Sequence, residues 1–305
     1  MFITTGAAAA AGALLPWTRA TVVAQSQATL DVAYAGSMSS LMEGPFKQRA
    51  AQRFNVALQG RAQGASGLAA LIVGGSITPD VFISVTPSPM ETVIKAGKVD
   101  AAQPIARTEM VIAYSPAGSF ARKIADSGKR GTEEWWQVLE EPGMRFGRTD
   151  PNTDPQGRNI IHVMQLAARL YKQPDLQQRI LGPDINPAQI FTEPTVEARL
   201  QSGELDAASA YKIQPAAFKL PFIHLPDEIN LSDSRRQADY AQASLTLAGK
   251  TYHPEPLVYY AALVKGAAHP AEAAAFVKWL GGDEAQAMFR QYSYDPAGKT
   301  APLHS

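Results

Sequence analysis

The stretch "LDVAYAGSMSSLMEGPFKQRAAQRFNVALQGRA", residues 30–62, reads as a strand, a turn, a helix and a second strand. An apolar run ends at Ala35 and leaves through Gly36 into Ser37, Ser39 and Ser40. Apolar residues then recur near helical spacing as far as Phe54, with Ser39 or Ser40 placed to cap the helix. The scheme repeats at once. "GASGLAALIVGG" (64–75) is a loop, a helix and a glycine stop. "PDVFISV" (79–85) is a third strand, its apolar residues following one another without alternation as in a sheet covered on both faces. Strand–helix units this closely spaced predict an α/β fold with mixed, mostly parallel sheets flanked by helices.

Outward from this stretch the alternation continues. "RTEMVIAYSP" (107–116) is a strand, "GTEEWWQVLEEPG" (131–143) a helix, "MRFGRTDP" (144–151) a strand running into a turn. "GRNIIHVMQLAARLY" (157–171) is a long amphipathic helix, "EPTVEARLQSG" (193–203) another, "ELDAASAY" (204–211) and "FIHLPDEIN" (222–230) strands. "ASLTLAG", "PLVYYAALVKG" and the helices from His269 and Asp283 close the chain. There is no short repeat and no long linker. This order suits two similar lobes, the chain leaving one and later returning: lobe I from 29–108 and 235–305, lobe II from 109–234.

The 305 residues carry 28 acidic and 28 basic side chains. That balance argues against a broad nucleic-acid surface or a polybasic membrane patch, and no nucleic-acid partner is expected. A small anion site built from dipoles is compatible with it. With no cysteine in the chain, thiol catalysis, disulfides and cysteine metal sites are excluded. "GAAAAAGALLP" (6–16) is too short to cross a bilayer and is followed by small residues to Ala28. Residues 1–28 therefore read as an export signal, the rival being an Ala-rich tail. "FITTGAAAAAGALL" resembles the part of a twin-arginine signal that follows its arginine pair, so a truncated signal of that type and a periplasmic location are expected.

Four places could carry chemistry. "AGSMSS" and "QGASGLAA" each put glycine and serine between a strand and a helix. There the helix dipole and free backbone N–H groups favour an anion. Gly36 and Gly64 are expected to take positive φ, and Gly36, Ser37, Ala65 and Ser66 to supply the donors. The other reading is plain helix capping. In "GRTDPNTDPQGRN" (147–159), Asp154 stands before Pro155 at a helix start, as an N-cap or as a site carboxylate. Tyr211 ends the strand "LDAASAY", either as a hydroxyl donor or as packing.

Taken together, "AGSMSSLMEGPFKQRAAQRF", "GASGLAALIVGGSITPDVFISV", "EMVIAYSP", "GRTDPNTDPQG", "LQSGELDAASAYKI", "HLPDEINLSD" and "HPAEAAAFVKWL" run in order over most of the chain. The set resembles the tungstate/molybdate-binding proteins of ABC importers, in their archaeal-type ModA/WtpA branch. The resemblance implies a two-lobed periplasmic-binding fold of type II that closes by hinge motion. It implies an oxyanion held between the lobes, with a membrane ABC permease as partner, a monomeric receptor and no prosthetic cofactor. Ser37 and Ser66 match the serines of the two early loops. Asp154 matches the aspartate of the "DPxG" turn, and Tyr211 the tyrosine ending the later strand. The family's second carboxylate precedes that tyrosine, but here the residue is Ala210. An intact molybdate or tungstate, with no direct metal ligand from the protein, is therefore expected. Sulfate, phosphate or a small organic acid are the alternatives. A hydrolase using Ser37 is a further one, although neither serine loop has the G-x-S-x-G form and His162, His224, His253, His269 and His304 lie in no base motif.

Overall fold

A computed structural model describes residues 1–2, 27–129 and 135–305. The expected export signal, apart from its ends, and residues 131–134 of the expected "GTEEWWQVLEEPG" helix lie outside these. The described strands are β1 Ala28–Ala35, β2 Val56–Gln63, β3 Val81–Ser84, β4 Ala101–Arg107, β5 Met110–Tyr114 and β6 Phe146–Gly147. They continue with β7 Ala207–Tyr211, β8 Phe222–His224, β9 Leu245–Leu247, β10 Lys250–Tyr252, β11 Val258–Leu263 and β12 Leu303–His304. One sheet has the order β12-β4-β11-β3-β1-β2, a second β6-β7-β5-β8, and β9–β10 is a separate hairpin.

The fold is mixed α/β, and its parallel part is narrower than the alternation suggested. β1 is parallel to β2 and β3, and β6 to β7, but β11 is antiparallel to β3 and β4, and β5 to β7 and β8. The reason is connectivity: β11 is reached from the second sheet and not through a helical crossover, so nothing requires it to be parallel. β4 had no strand signal because of Pro104, which cannot donate to a ladder. It is accommodated where β11 shifts register between Tyr259 and Tyr260.

The expected continuous helix to Phe54 is broken into a 3₁₀ turn Gly36–Met38, one turn Ser39–Leu41, a π-helical stretch Met42–Phe46 and the helix Lys47–Phe54. Pro45 lacks the N–H that a regular ladder needs there. Ser39 does not cap this helix; its Oγ donates to the Gly36 carbonyl at 2.6 Å.

The chain passes between sheets from Arg107 to Met110 and again between β8 and β11. The two passages lie side by side, Thr108 N–H on the Leu257 carbonyl at 3.0 Å and Met110 N–H on the Asn230 carbonyl at 2.8 Å. Buried Glu109 sits between them and accepts from Asn230 Nδ2 at 3.1 Å. It also pairs with Lys212 Nζ at 3.2 Å, and Lys212 in turn binds Asp295 near the chain end. One part of the expected division needs correction. Residues 240–252, assigned to lobe I, include a hairpin lying on the helix Pro155–Leu170. Ser244 N–H donates to Gln165 Oε1 at 3.0 Å, and the Arg158 guanidinium lies 4.5 Å from the Tyr252 ring centre. Leu245 needs cover, and that helix supplies it.

Candidate functional site

Parallel pairing places the two serine loops together. Ala35 of β1 is in register with Gln63 of β2, so both strands end at one sheet edge, next to the end of β3. Gly36, Ser37, Gly64, Ala65 and Val85, all at or just beyond those ends, line one wall of a cavity of ≈ 570 Å³. This is where open α/β sheets receive ligands. The 3₁₀ turn makes its first bond from Ser39 N–H to the Gly36 carbonyl, and the helix Ala65–Val73 from Leu68 N–H to the Gly64 carbonyl. The preceding N–H groups of both elements have no partner within their helices.

The expected glycine conformation is not found. Neither Gly36 nor Gly64 is among the positive-φ residues, and Gly64 has φ −56°. A Cβ at either position meets no atom within 4 Å. Glycine here leaves open space at the cavity wall. Gly36→Ala and Gly64→Ala are each expected to change stability by no more than about 1 kcal/mol while weakening ligand binding. A thermal melt beside a binding titration checks this; unchanged affinity means that the ligand does not approach those Cα atoms.

Ser66 also departs from expectation. It is exposed and absent from the cavity lining, whereas Ala65 is buried and lines it. The helix begins at Ala65 with Gly64 as its cap, so the next side chain is rotated by about 100° away from the cavity. Ser66 can contribute only its backbone N–H. Ser37 does line the cavity, and its Oγ lies 2.9 Å from the hydroxyl of fully buried Tyr259. Tyr294 donates to the Ser37 carbonyl at 3.3 Å. Both tyrosines lie more than 200 positions away in sequence, and no local signal marks them.

The opposite wall comes from the second sheet's side. Asp154 lines it and caps the helix Pro155–Leu170, its Oδ1 accepting from Gln156 N–H at 2.8 Å. Burial pushes its carboxyl up, with the Gln156 N–H bond opposing. Gly157 explains the spacing of this turn: a Cβ there would stand 2.4 Å from the Thr149 carbonyl oxygen, so only glycine lets the turn lie against the helix. Tyr211 lines the cavity, accepts from Asn159 Nδ2 at 3.1 Å and retains its own proton, burial pushing its phenol well up.

Sequence reading missed Thr149, Gln156, Phe191, Thr192, Glu193 and Gln214, all of which line this wall. Four of them stand at helix starts: Gln156 in the helix Pro155–Leu170, Thr192 as the N-cap and Glu193 as the first residue of Glu193–Ser202, and Gln214 in Ile213–Ala217. Glu193 changes the carboxylate argument. Ala210 lines a smaller cavity behind this wall, with Leu200 and Leu220, because alternate strand residues face opposite sides. The ≈ 570 Å³ cavity carries a further carboxylate beside Asp154 in Glu193, whose Oε1 accepts from Gln214 Nε2. Burial, with the charge of Asp154, pushes Glu193 up against the Gln214 bond. Asp150 lines the cavity as well, and among the described residues no lysine, arginine or histidine does. Five helical elements start at or beside the cavity, so what favours an anion there is the helix termini and their N–H groups, not a charged side chain. No group of acidic and histidine side chains among the described residues is arranged to hold a metal ion.

Residues 30–295 match the family of bacterial extracellular solute-binding proteins. A protein of Methanococcus aeolicus, named only as an uncharacterised solute-binding protein, is 30% identical over 278 residues, 83% of this chain and 78% of that one. The molybdate/tungstate-binding protein WtpA of Thermococcus kodakarensis is 31% identical over 211 residues, 62% of this chain and 58% of that protein's length. Among solved structures, the periplasmic molybdate-binding protein of Azotobacter vinelandii superposes with a TM-score of 0.60 at 20% identity, over 87% of this chain and 98% of that one. At that identity the likeness is one of fold.

Proposed function

Since the chain belongs to the bacterial extracellular solute-binding proteins, we propose that it is the exported receptor of an ABC importer and binds a tetrahedral oxyanion, molybdate or tungstate, between its two sheets. The observation carrying this reading is the meeting of two strand-exit loops at one cavity, their N–H donors unpaired within their helices. The names of the relatives favour molybdate and tungstate over other oxyanions. The two passages between the sheets serve as the hinge, and a membrane permease receives the loaded monomer. The reading calls for no cofactor. Periplasmic delivery by the twin-arginine route belongs to the same proposal; no helix among the described residues is long and apolar enough to cross a membrane. A hydrolase using Ser37 with a histidine base is not favoured: Ser37 Oγ bonds to Tyr259, and none of the described histidines lines the cavity.

Thermal melting with an anion panel tests the ligand. An anion at a hundred times its Kd adds about 2.7 kcal/mol, a rise of several degrees for a protein of this size. Molybdate and tungstate are expected to produce it, and sulfate, phosphate and small organic acids to produce less. A rise with one of the latter alone reassigns the ligand and leaves the receptor reading in place.

A further inference from the structure

The cavity's two walls are chemically opposed. The first offers N–H and hydroxyl donors; the second offers Asp150, Asp154 and Glu193, uncompensated by any lining cation among the described residues. A dianion placed between them meets carboxylates at close range, where like charges repel strongly. The three are not equivalent. Asp150 accepts from Asn152 N–H at 2.9 Å, and Asp154 has the Gln156 N–H and faces the Arg158 charge. Glu193 is bonded to the neutral amide of Gln214.

The groups facing Glu193 are acidic or neutral on each element packed near it. They are Asp154 from the start of the helix Pro155–Leu170, Glu197 one turn along its own helix, and the phenol of Tyr259 on β11. Tyr211 on β7 also feels its charge. Arg199 on the same helix is engaged elsewhere, over the Phe191 ring and with Glu204. Behind Glu193 lies the smaller cavity of ≈ 20 Å³, shared by Gln156, Ser209, Glu193, Glu197 and Gln214. Ser209 Oγ and Gln156 Oε1 are buried there without a hydrogen-bond partner. The space suits about one water, which such polar groups require.

We propose that the receptor captures its dianion together with one proton taken from solvent and held on Glu193, whose O–H then donates to a ligand oxygen. This rests on the oxyanion reading of the same cavity. The proton turns a repulsion into a charge-assisted hydrogen bond. Burial and the charge of Asp154 already raise the proton affinity of Glu193, and an arriving dianion raises it further, so the carboxylate of the empty receptor takes up its proton as the anion binds. Glu193 is thereby a specificity residue of the second wall, admitting a dianion only together with a proton.

Calorimetric titration of the protein with molybdate, tungstate and sulfate, in two buffers of different ionisation enthalpy, reads the proton directly. About one proton is expected to be taken up per anion near pH 7, and Kd to rise toward about tenfold per pH unit as pH increases. In Glu193→Gln the uptake is expected to vanish and the pH dependence to flatten, with its melt confirming a folded protein. Binding by the wild-type protein without proton exchange overturns the proposal and leaves the receptor reading intact. So does undiminished uptake in Glu193→Gln. Absence of both heat and a melt shift with all three anions overturns the oxyanion reading, and this proposal with it.

Discussion

Ser37→Ala is expected to weaken anion binding by about ten- to a hundredfold, the loss of a hydrogen bond to a charged group being worth about 1.5–3 kcal/mol. Ser37 reaches the cavity while Tyr259 is fully buried behind it, and the two hydroxyl oxygens lie 2.9 Å apart. Burial pushes the Tyr259 phenol up, so it keeps its proton and has it to give to Ser37 Oγ. Ser37 then has its own proton free for the ligand, and its oxygen is polarised by the bond it accepts. The alanine variant also strands a buried phenol, so a stability loss of about 1–2 kcal/mol is expected. Tyr259→Phe in the same chain should recover part of that loss without restoring affinity. Tyr259→Phe alone should weaken binding less than Ser37→Ala, because it removes the orienting group and leaves the donor. A titration showing the same Kd for Ser37→Ala as for the wild type means that the hydroxyl serves only the loop.

Arg148→Met is expected to lower stability by on the order of 3 kcal/mol and to abolish high-affinity binding. Arg148 is wholly buried, its Nη2 donating to the carbonyls of Pro183 and Asp184 at 3.0 and 2.9 Å and its Nε to Gln189 Oε1 at 3.2 Å. Its backbone bridges the same region, taking the Phe191 N–H and giving its own N–H to the Gln189 carbonyl. The side chain therefore holds the segment from Pro183 to Gln189 against the strand end that enters the turn of Asp150 and Asp154, and that segment leads through Phe191 into the helix of Glu193. Methionine fills part of the volume but leaves three acceptors without a donor. Denaturant titration and a binding isotherm on the same preparation check this. Stability within about 0.5 kcal/mol of wild type would show that these acceptors find other donors, and unchanged affinity that the second wall is dispensable.

Much of the first wall was legible because its signals are local. Gly36 follows an apolar run and Gly64 the stretch "NVALQGRA", both precede helical spacing, and the strands expected before them are β1 and β2. The roles within the loops were less legible. Helix phase, set by a start at Ala65, turned Ser66 to solvent. Gly36 and Gly64 take no positive φ and a Cβ at either would meet no atom of the protein, so what they leave is open space at the cavity wall. On the second wall, the Asp-Pro turn pointed to Asp154, and the side chain does cap its helix. Glu193 gave no signal of its own, since a glutamate in the first turn of a helix is ordinary.

By itself the sequence determined the alternation of strands and helices, the places where helices begin, and the absence of thiol chemistry. These follow from the character of neighbouring residues and from the two backbone periods. Only the tertiary structure decided which side chains share a space. It brought Tyr259 onto Ser37 across 222 positions, turned Ala210 away from the ligand cavity, and set Glu193 on that cavity in its place. The physical reason is that a side chain's facing depends on strand register and helix phase, and its distant partners on how the chain closes upon itself. Neither is encoded within a window of a few residues.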